Sequence, residues 1–206
     1  TTGISVQDRA KTVKALSDLT FELNNGDKLG LIGHNGAGKT TLMRAIAGIY
    51  TPNSGNYIIQ GSVQCMLDVY MGLDPDLTGF ENIKVRAVLL GIKKKDIAGL
   101  IKEIAEFTEL GDFLAIPVRT YSSGMQLRLA FALSTAVPAD ILAIDEVIGT
   151  GDASFREKAE TRLTEFMHKA KIVLMSSHEN EVIRKHCNKV MWLEHGKLKM
   201  FGETED

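Results

Sequence analysis

The sequence predicts an α/β fold: a sheet core carrying helices, interrupted by a mostly helical insertion. Three observations predict it. A glycine-rich loop at residues 33–40 lies between the apolar run Lys28–Ile32 and a helix-like stretch at 41–47. From residue 141 onward, short apolar runs alternate with helical patterns, as βαβ units do. Between them, from 79 to about 137, the apolar period is helical. The 206 residues suffice for one such domain with a full core.

Residues 4–32 read as strand-rich, with strands expected at 13–16, 19–23 and 28–32. Turn signals at Ser17-Asp18 and Asn24-Asn25-Gly26 separate them. After the first helix, Pro52-Asn53-Ser54-Gly55 turns the chain into 57–60, and Gly61 leads to a strand at 62–67. Helices follow at 81–90, 94–109 and 125–137, the last after a loop at 117–123. The alternation then resumes with strand 141–144, helix 154–169, strand 172–176, helix 179–186, strand 190–193 and strand 197–200. The expected organisation is one domain over 1–206, its core formed by 1–67 and 138–206 and its helical insertion by about 68–137.

Charge and cysteine usage narrow the class. Lys and Arg number 24 against 26 for Asp and Glu, so no basic excess suggests a nucleic-acid partner. Cys65 and Cys187, far apart and without metal-ligand spacing, read as reduced structural thiols of a cytosolic protein. The longest apolar runs, near 85–92 and 141–144, are too short to cross a bilayer, and no secretory signal is present. Any membrane link is therefore expected to run through a partner. The chain lacks an initiator Met and stops at Gly202-Glu203-Thr204-Glu205-Asp206, which reads as a trimmed piece of something longer.

The loop Gly33-His34-Asn35-Gly36-Ala37-Gly38-Lys39-Thr40 fits the spacing G-x-x-x-x-G-K-[ST] at every fixed position and opens a helix at Thr41. Its glycines let consecutive N–H groups turn inward around phosphate oxygens, and the helix N-terminus adds positive charge. Lys39 is expected to reach the β- and γ-phosphates of a nucleoside triphosphate, and the Thr40 hydroxyl to ligate Mg²⁺. The run Ile141-Leu142-Ala143-Ile144-Asp145-Glu146 reads as a buried parallel strand ending in two acids. Asp145 is expected to hold Mg²⁺ through water; Glu146, on the opposite side of the strand end, can polarise a water for attack on the γ-phosphate. An Asp-Glu pair is otherwise an ordinary turn signal, and the phosphate loop favours the catalytic reading. His178, after strand 172–176, can contact the γ-phosphate or hold the attacking water, although a lone His is more often a solvated loop residue. His34 stands at a variable loop position, and His168, His186 and His195 at element ends; all four read as inert.

Tyr121-Ser122-Ser123-Gly124-Met125 is a small polar loop opening a helix with no strand before it. Ser122 or Ser123 suits an N-cap. One nucleotide site already has its own cradle, so a second anion-binding helix start makes sense if it completes the site of another copy.

In this order the pieces resemble the nucleotide-binding domain of an ATP-binding cassette (ABC) transporter, over nearly the whole chain. The resemblance implies a P-loop NTPase core with an N-terminal antiparallel β portion and an inserted helical subdomain. Residues 121–130 resemble the signature loop and helix, Asp145-Glu146 the Walker B aspartate and catalytic glutamate, Gly151-Asp152 the D-loop, and His178 the switch histidine. Stretches 73–83, 106–113, 117–125, 144–155 and 192–197 are similar to the ATPases that export bacterial surface polysaccharides, O-antigen exporters above all. The implied mechanism is a homodimer in which ATP and Mg²⁺ are sandwiched between the residues 33–41, Asp145 and Glu146 of one copy and Ser122, Ser123 and Gly124 of the other. The implied partner is an integral-membrane permease, gripped by the insertion and the loop 68–77. That places the chain at the cytoplasmic face of the bacterial inner membrane.

Three departures from the family pattern stand out. The usual signature Leu-Ser-Gly-Gly-Gln is here Tyr-Ser-Ser-Gly-Met. The Q-loop glutamine is missing; its position falls near Val69, with Asp68 the nearest substitute. No aromatic residue precedes Phe21, although one is expected upstream of the phosphate loop to stack on adenine. Rival readings are a transporter ATPase for a drug or lipid cargo, and a soluble ATPase of the same superfamily. The soluble ATPases usually carry a coiled-coil insertion or a second cassette in the same chain, and neither is found. A P-loop kinase would leave Tyr121–Met125 and His178 without roles.

Overall fold

The computed structural model describes residues 14–145, 153–177 and 179–204. Apolar runs become the strands β1 (Lys28–Ile32), β2 (Val63–Met66), β3 (Ile141–Asp145), β4 (Ile172–Ser176) and β5 (Lys189–Glu194), followed by β6 (Lys197–Glu203). They form one sheet in the order β2-β3-β4-β1-β5-β6. The first five strands are parallel, and β6 runs antiparallel to β5.

The central strands are apolar on both faces because both faces are covered. Leu29, Leu31, Ile141, Ala143 and Leu174 belong to one core cluster, whereas Leu142, Ile144, Val173 and Met175 belong to the other. Gly30 interrupts this alternation for a steric reason. A Cβ there would lie 2.3 Å from Cγ2 of Ile183 in helix α6 (Asn180–His186), so the missing side chain lets the helix press on the sheet.

The remaining helices are α1 (Lys39–Ile46), α2 (Gly79–Leu89), α3 (Ile97–Thr108), α4 (Ser123–Ser134) and α5 (Ala153–Lys169). Between β2 and β3 the chain runs through α2 and α3, two 3₁₀ turns at Gly111–Ala115 and Val118–Thr120, and α4. Helix α2 starts with a capping box: Glu81 N–H donates to Thr78 Oγ1, and Thr78 N–H donates back to Glu81 Oε2. Helix α3 buries Leu100, Ile104, Phe107 and Thr108, one face at helical spacing. Phe107, Phe131 and Phe155 meet at ring-centroid distances of 5.4–6.1 Å, locking α3, α4 and α5 together. Helix α4 stops at Ser134, short of the expected 137; Pro138 disfavours helical geometry at Val137, the last residue of that expectation.

Three expected strands do not form ladders. Of the strand expected at 13–16, the described residues 14–16 form no strand, and Lys14 and Ala15 are exposed. Residues 19–23 are extended, with Leu19, Phe21 and Leu23 packed against the core and Thr20 and Glu22 exposed, but without a strand partner among the described residues. Within 14–27 the sheet is reached by an isolated parallel bridge, Ser17 to Lys197, and by Asp27, whose carbonyl accepts from Val173 N–H of β4 and whose carboxylate accepts from Lys189 Nζ of β5. Residues 57–60 likewise form no strand: Tyr57 and Ile58 are exposed and only Ile59 packs inward. Alternation encodes a half-buried extended chain; it does not name the chain that would pair with it.

Candidate active site

Because β1, β3, β4 and β5 run parallel, Ile32, Asp145, Ser176 and Glu194 all end at one edge of the sheet. Over that edge opens a cleft of about 520 Å³. The loop leaving β1 forms its floor. Leu67, Asp145 and Ser176, from the β2–β4 half of the sheet, line one side; Lys14, Ala15 and His195, next to the β5–β6 half, line the other.

The loop takes its shape from glycine. Gly33 has φ +145°, and a Cβ there would lie 2.2 Å from the Leu193 carbonyl oxygen, so no side chain fits. Gly38 has φ +108° and caps α1 from the left-handed region without any side-chain cap. The first turn of α1 therefore offers its free N–H groups to the cleft, and no acid stands in that turn to oppose an anion. Lys39 is buried, and its Nζ donates to the Gly33 and His34 carbonyl oxygens at 2.7 and 3.3 Å. Its charge is thus held inside the curl of the loop.

On the β3–β4 side, the Thr40 hydroxyl donates to Asp145 Oδ2 at 2.5 Å. The Ser176 hydroxyl donates to the other carboxylate oxygen, Oδ1. Oδ2 of Asp145 is thereby held against the start of α1 and Oδ1 against the end of β4. These are hard oxygen donors of the kind that Mg²⁺ accepts next to phosphate. Cys65, in the neighbouring β2, has its thiol pushed up to about 11 by burial and by the Asp145 charge.

On the opposite side, the turn between β5 and β6 is clamped to the loop. Gly196 N–H donates to the Ala37 carbonyl, and the Gly196 carbonyl accepts from Ser17 N–H. His195 and Gly196 both have positive φ, 47° and 74°, as a two-residue turn of type I′ requires. The His195 ring packs against that of His34, centroids 4.7 Å apart.

Of the residues expected at the site, Asn35, Gly36, Ala37, Gly38, Lys39, Thr40, Thr41 and Asp145 line the cleft, and Gly33 and His34 form the start of its loop. Ser122, Ser123 and Gly124 do not line it. They open α4, where Ser122 Oγ accepts from Met125 N–H and both serines are exposed. Asp68 does not line it either; its carboxylate accepts from its own Tyr70 N–H. Phe21 packs on Phe201, centroids 6.2 Å apart. Glu146, Gly151, Asp152 and His178 lie outside the described residues.

Sequence reasoning missed Ser176 and His195. A hydroxyl closing the otherwise apolar strand Ile172–Ser176, beside a strand closing in Asp145, was a signal for the first. His195, read as inert, is corrected to a cleft-lining residue; nothing local in the sequence brings the β5–β6 turn to the phosphate loop.

A sequence model described as ABC transporter matches residues 16–149. The chain is 52% identical over 187 residues to the O-antigen export system ATP-binding protein RfbE of Yersinia enterocolitica, covering 91% of this chain and 78% of that protein. It is 40% identical over 200 residues to the teichoic acids export ATP-binding protein TagH of Staphylococcus epidermidis, covering 97% of this chain and 75% of that protein. A solved dimeric ATP-binding cassette, in a post-hydrolysis state bound to ADP and Pi, superposes with a TM-score of 0.72 at 20% identity, over 92% of this chain and 90% of that one.

Proposed function

Because the chain belongs to the ABC transporter family, as an ATPase domain, we propose that it powers export of a lipid-linked, O-antigen-like surface polysaccharide through a separate membrane subunit. The meeting of Thr40 and Asp145 at the open start of α1 supports ATP hydrolysis most directly. Likeness to O-antigen and teichoic-acid export proteins, which share a surface-glycan cargo, supports the substrate class.

In this reading the N–H groups of Gly36 and of residues 38–41, with the Lys39 ammonium, cradle the β- and γ-phosphates, the Ala37 N–H being held by the His34 carbonyl. Thr40 and Asp145 would hold Mg²⁺, which would supply positive charge to offset that of the phosphates. Ser176 keeps the Asp145 carboxylate oriented. Glu146 acts as general base toward the attacking water, and His178 contacts the γ-phosphate. A second copy supplies Ser122, Ser123 and Gly124: exposed, at a helix start with no acid in its first turn, and outside their own chain's cleft. Loss of the γ-phosphate reopens the pair.

The membrane subunit has a fitting surface. Val85, Val88 and Leu89 are 45%, 67% and 72% exposed on one face of α2, with Tyr70 and Met71 also exposed in the preceding loop. Among the described residues no helix is long and apolar enough to cross a membrane. We place the chain at the cytoplasmic face of the inner membrane, held there by that subunit.

The test is Glu146→Gln in the source cell, followed by localisation of the polysaccharide. Lipid-linked glycan stranded on the cytoplasmic side is the expected result. A normal surface coat would discard the polysaccharide assignment.

A further inference from the structure

We infer that His195, backed by His34, is the platform on which the nucleobase of the bound nucleotide stacks. This rests on the nucleotide-binding reading of the cleft and adds a wall to it that the phosphate cradle does not supply.

A nucleoside triphosphate needs two kinds of contact. Its phosphates need charge and N–H groups, which the start of α1, Lys39 and the Thr40–Asp145 pair offer at the β3–β4 side. Its base is a flat π-surface, which binds best on another ring. Residues 1–20 contain no Phe, Tyr, Trp or His, and the first aromatic residue, Phe21, is occupied against Phe201. Among the described residues lining the cleft, His195 alone carries a ring.

Its position suits the task. The phosphate loop leaves the central strand β1; Asp145 and Ser176 flank it on one side and the β5–β6 turn on the other. A nucleotide whose phosphates lie at the Asp145 side therefore extends its base toward Lys14, Ala15 and His195. The His195 ring is exposed, yet its backbone is fixed. Gly196 is bonded to Ala37 of the phosphate loop and to Ser17, and a Cβ at Gly196 would lie 2.3 Å from the Ala15 carbonyl oxygen. The His34 ring, 4.7 Å away, supports it from the loop side, and the His34 Nδ1 is itself tied to the Asn35 carbonyl oxygen at 2.7 Å. A ring carried on the phosphate loop and a ring carried on the clamped turn thus hold a fixed offset from the cradle, which a base joined to that cradle through a ribose requires.

Equilibrium binding of ATP and of inorganic tripolyphosphate, followed by calorimetry on the intact protein, tests this. His195→Asn removes the ring while keeping a residue that tolerates positive φ. It should weaken ATP binding on the order of ten-fold or more and leave tripolyphosphate binding unchanged. His195→Tyr should restore ATP affinity. Unchanged ATP affinity in His195→Asn would overturn the platform. Equal losses for ATP and tripolyphosphate would also overturn it, since His195 would then only shape the loop. Failure of the unaltered protein to bind either compound would overturn the nucleotide reading itself, a result separate from both.

Discussion

The Thr40 hydroxyl and the Asp145 carboxylate stand 2.5 Å apart, joining the first turn of α1 to the last residue of β3 across 105 positions of sequence. Thr40→Ala and Asp145→Asn should each lower ATP turnover on the order of 10²-fold, the scale of losing one preorganised electrostatic partner of a transition state. Phosphate release at saturating ATP and Mg²⁺ checks this. Turnover within a factor of two of the unaltered protein in either variant would remove the pair from the catalytic centre.

Phe131 is 1% exposed and touches the rings of both Phe107 and Phe155. Phe131→Ala empties the junction of α3, α4 and α5, and should cost about 3–5 kcal/mol in denaturant unfolding. A cost below about 1 kcal/mol would mean that the three helices do not depend on this contact.

The start of α2 depends on Thr78. Its hydroxyl accepts from Glu81 N–H at 3.2 Å, while Glu81 accepts from Thr78 N–H at 2.8 Å. Thr78→Ala should destabilise the domain by about 1 kcal/mol, measurable as a lower urea midpoint. An unchanged midpoint would show the box to be dispensable.

Asp140 fastens β2 to β3 from their entry ends. Its carboxylate accepts from Ser62 N–H and Oγ at 2.8 and 2.9 Å and pairs with Lys171 Nζ at 2.8 Å. The Lys171 ammonium, then the Ser62 donors, hold its pKa well below the ordinary 3.8. A depressed carboxylate contributes stability that is full above the unfolded pKa and lost as pH falls through the folded one. Unfolding midpoints measured at pH 6 and pH 3 should therefore differ less in Asp140→Asn than in the unaltered chain. Identical pH profiles would show that the carboxylate adds nothing.

Burial raises the thiols of Cys65 and Cys187 to about 11 each. Near pH 7.5 the nucleophilic thiolate is scarce in the folded protein. A thiol reagent should label both slowly until denaturant is added, and fast labelling of Cys187 in the native state would contradict its burial at the end of α6.

Strands buried on both faces were the most legible part of the fold. Lys28–Ile32 forms β1 with the limits its apolar run suggested, because nothing polar interrupts it. Residues 14–16, 19–23 and 57–60 were misread as strand, since a half-buried pattern is satisfied by packing alone and hydrogen-bond partners are chosen by tertiary structure. The phosphate loop and Asp145 were readable because spacing and strand ends are local properties. Ser176 and His195 were not, because their meaning comes from strand neighbours far away in sequence: Asp145 beside Ser176, and Ala37 beside Gly196.

The clamp between Gly196 and Ala37 also sets an order of events during synthesis. Residues 33–40 leave the ribosome early, but Leu29 pairs with Leu174 and Lys189, and the turn that grips the loop comes later still. Such distant pairings form late. A nascent chain thus carries the whole glycine-rich loop long before Gly196 exists to clamp it.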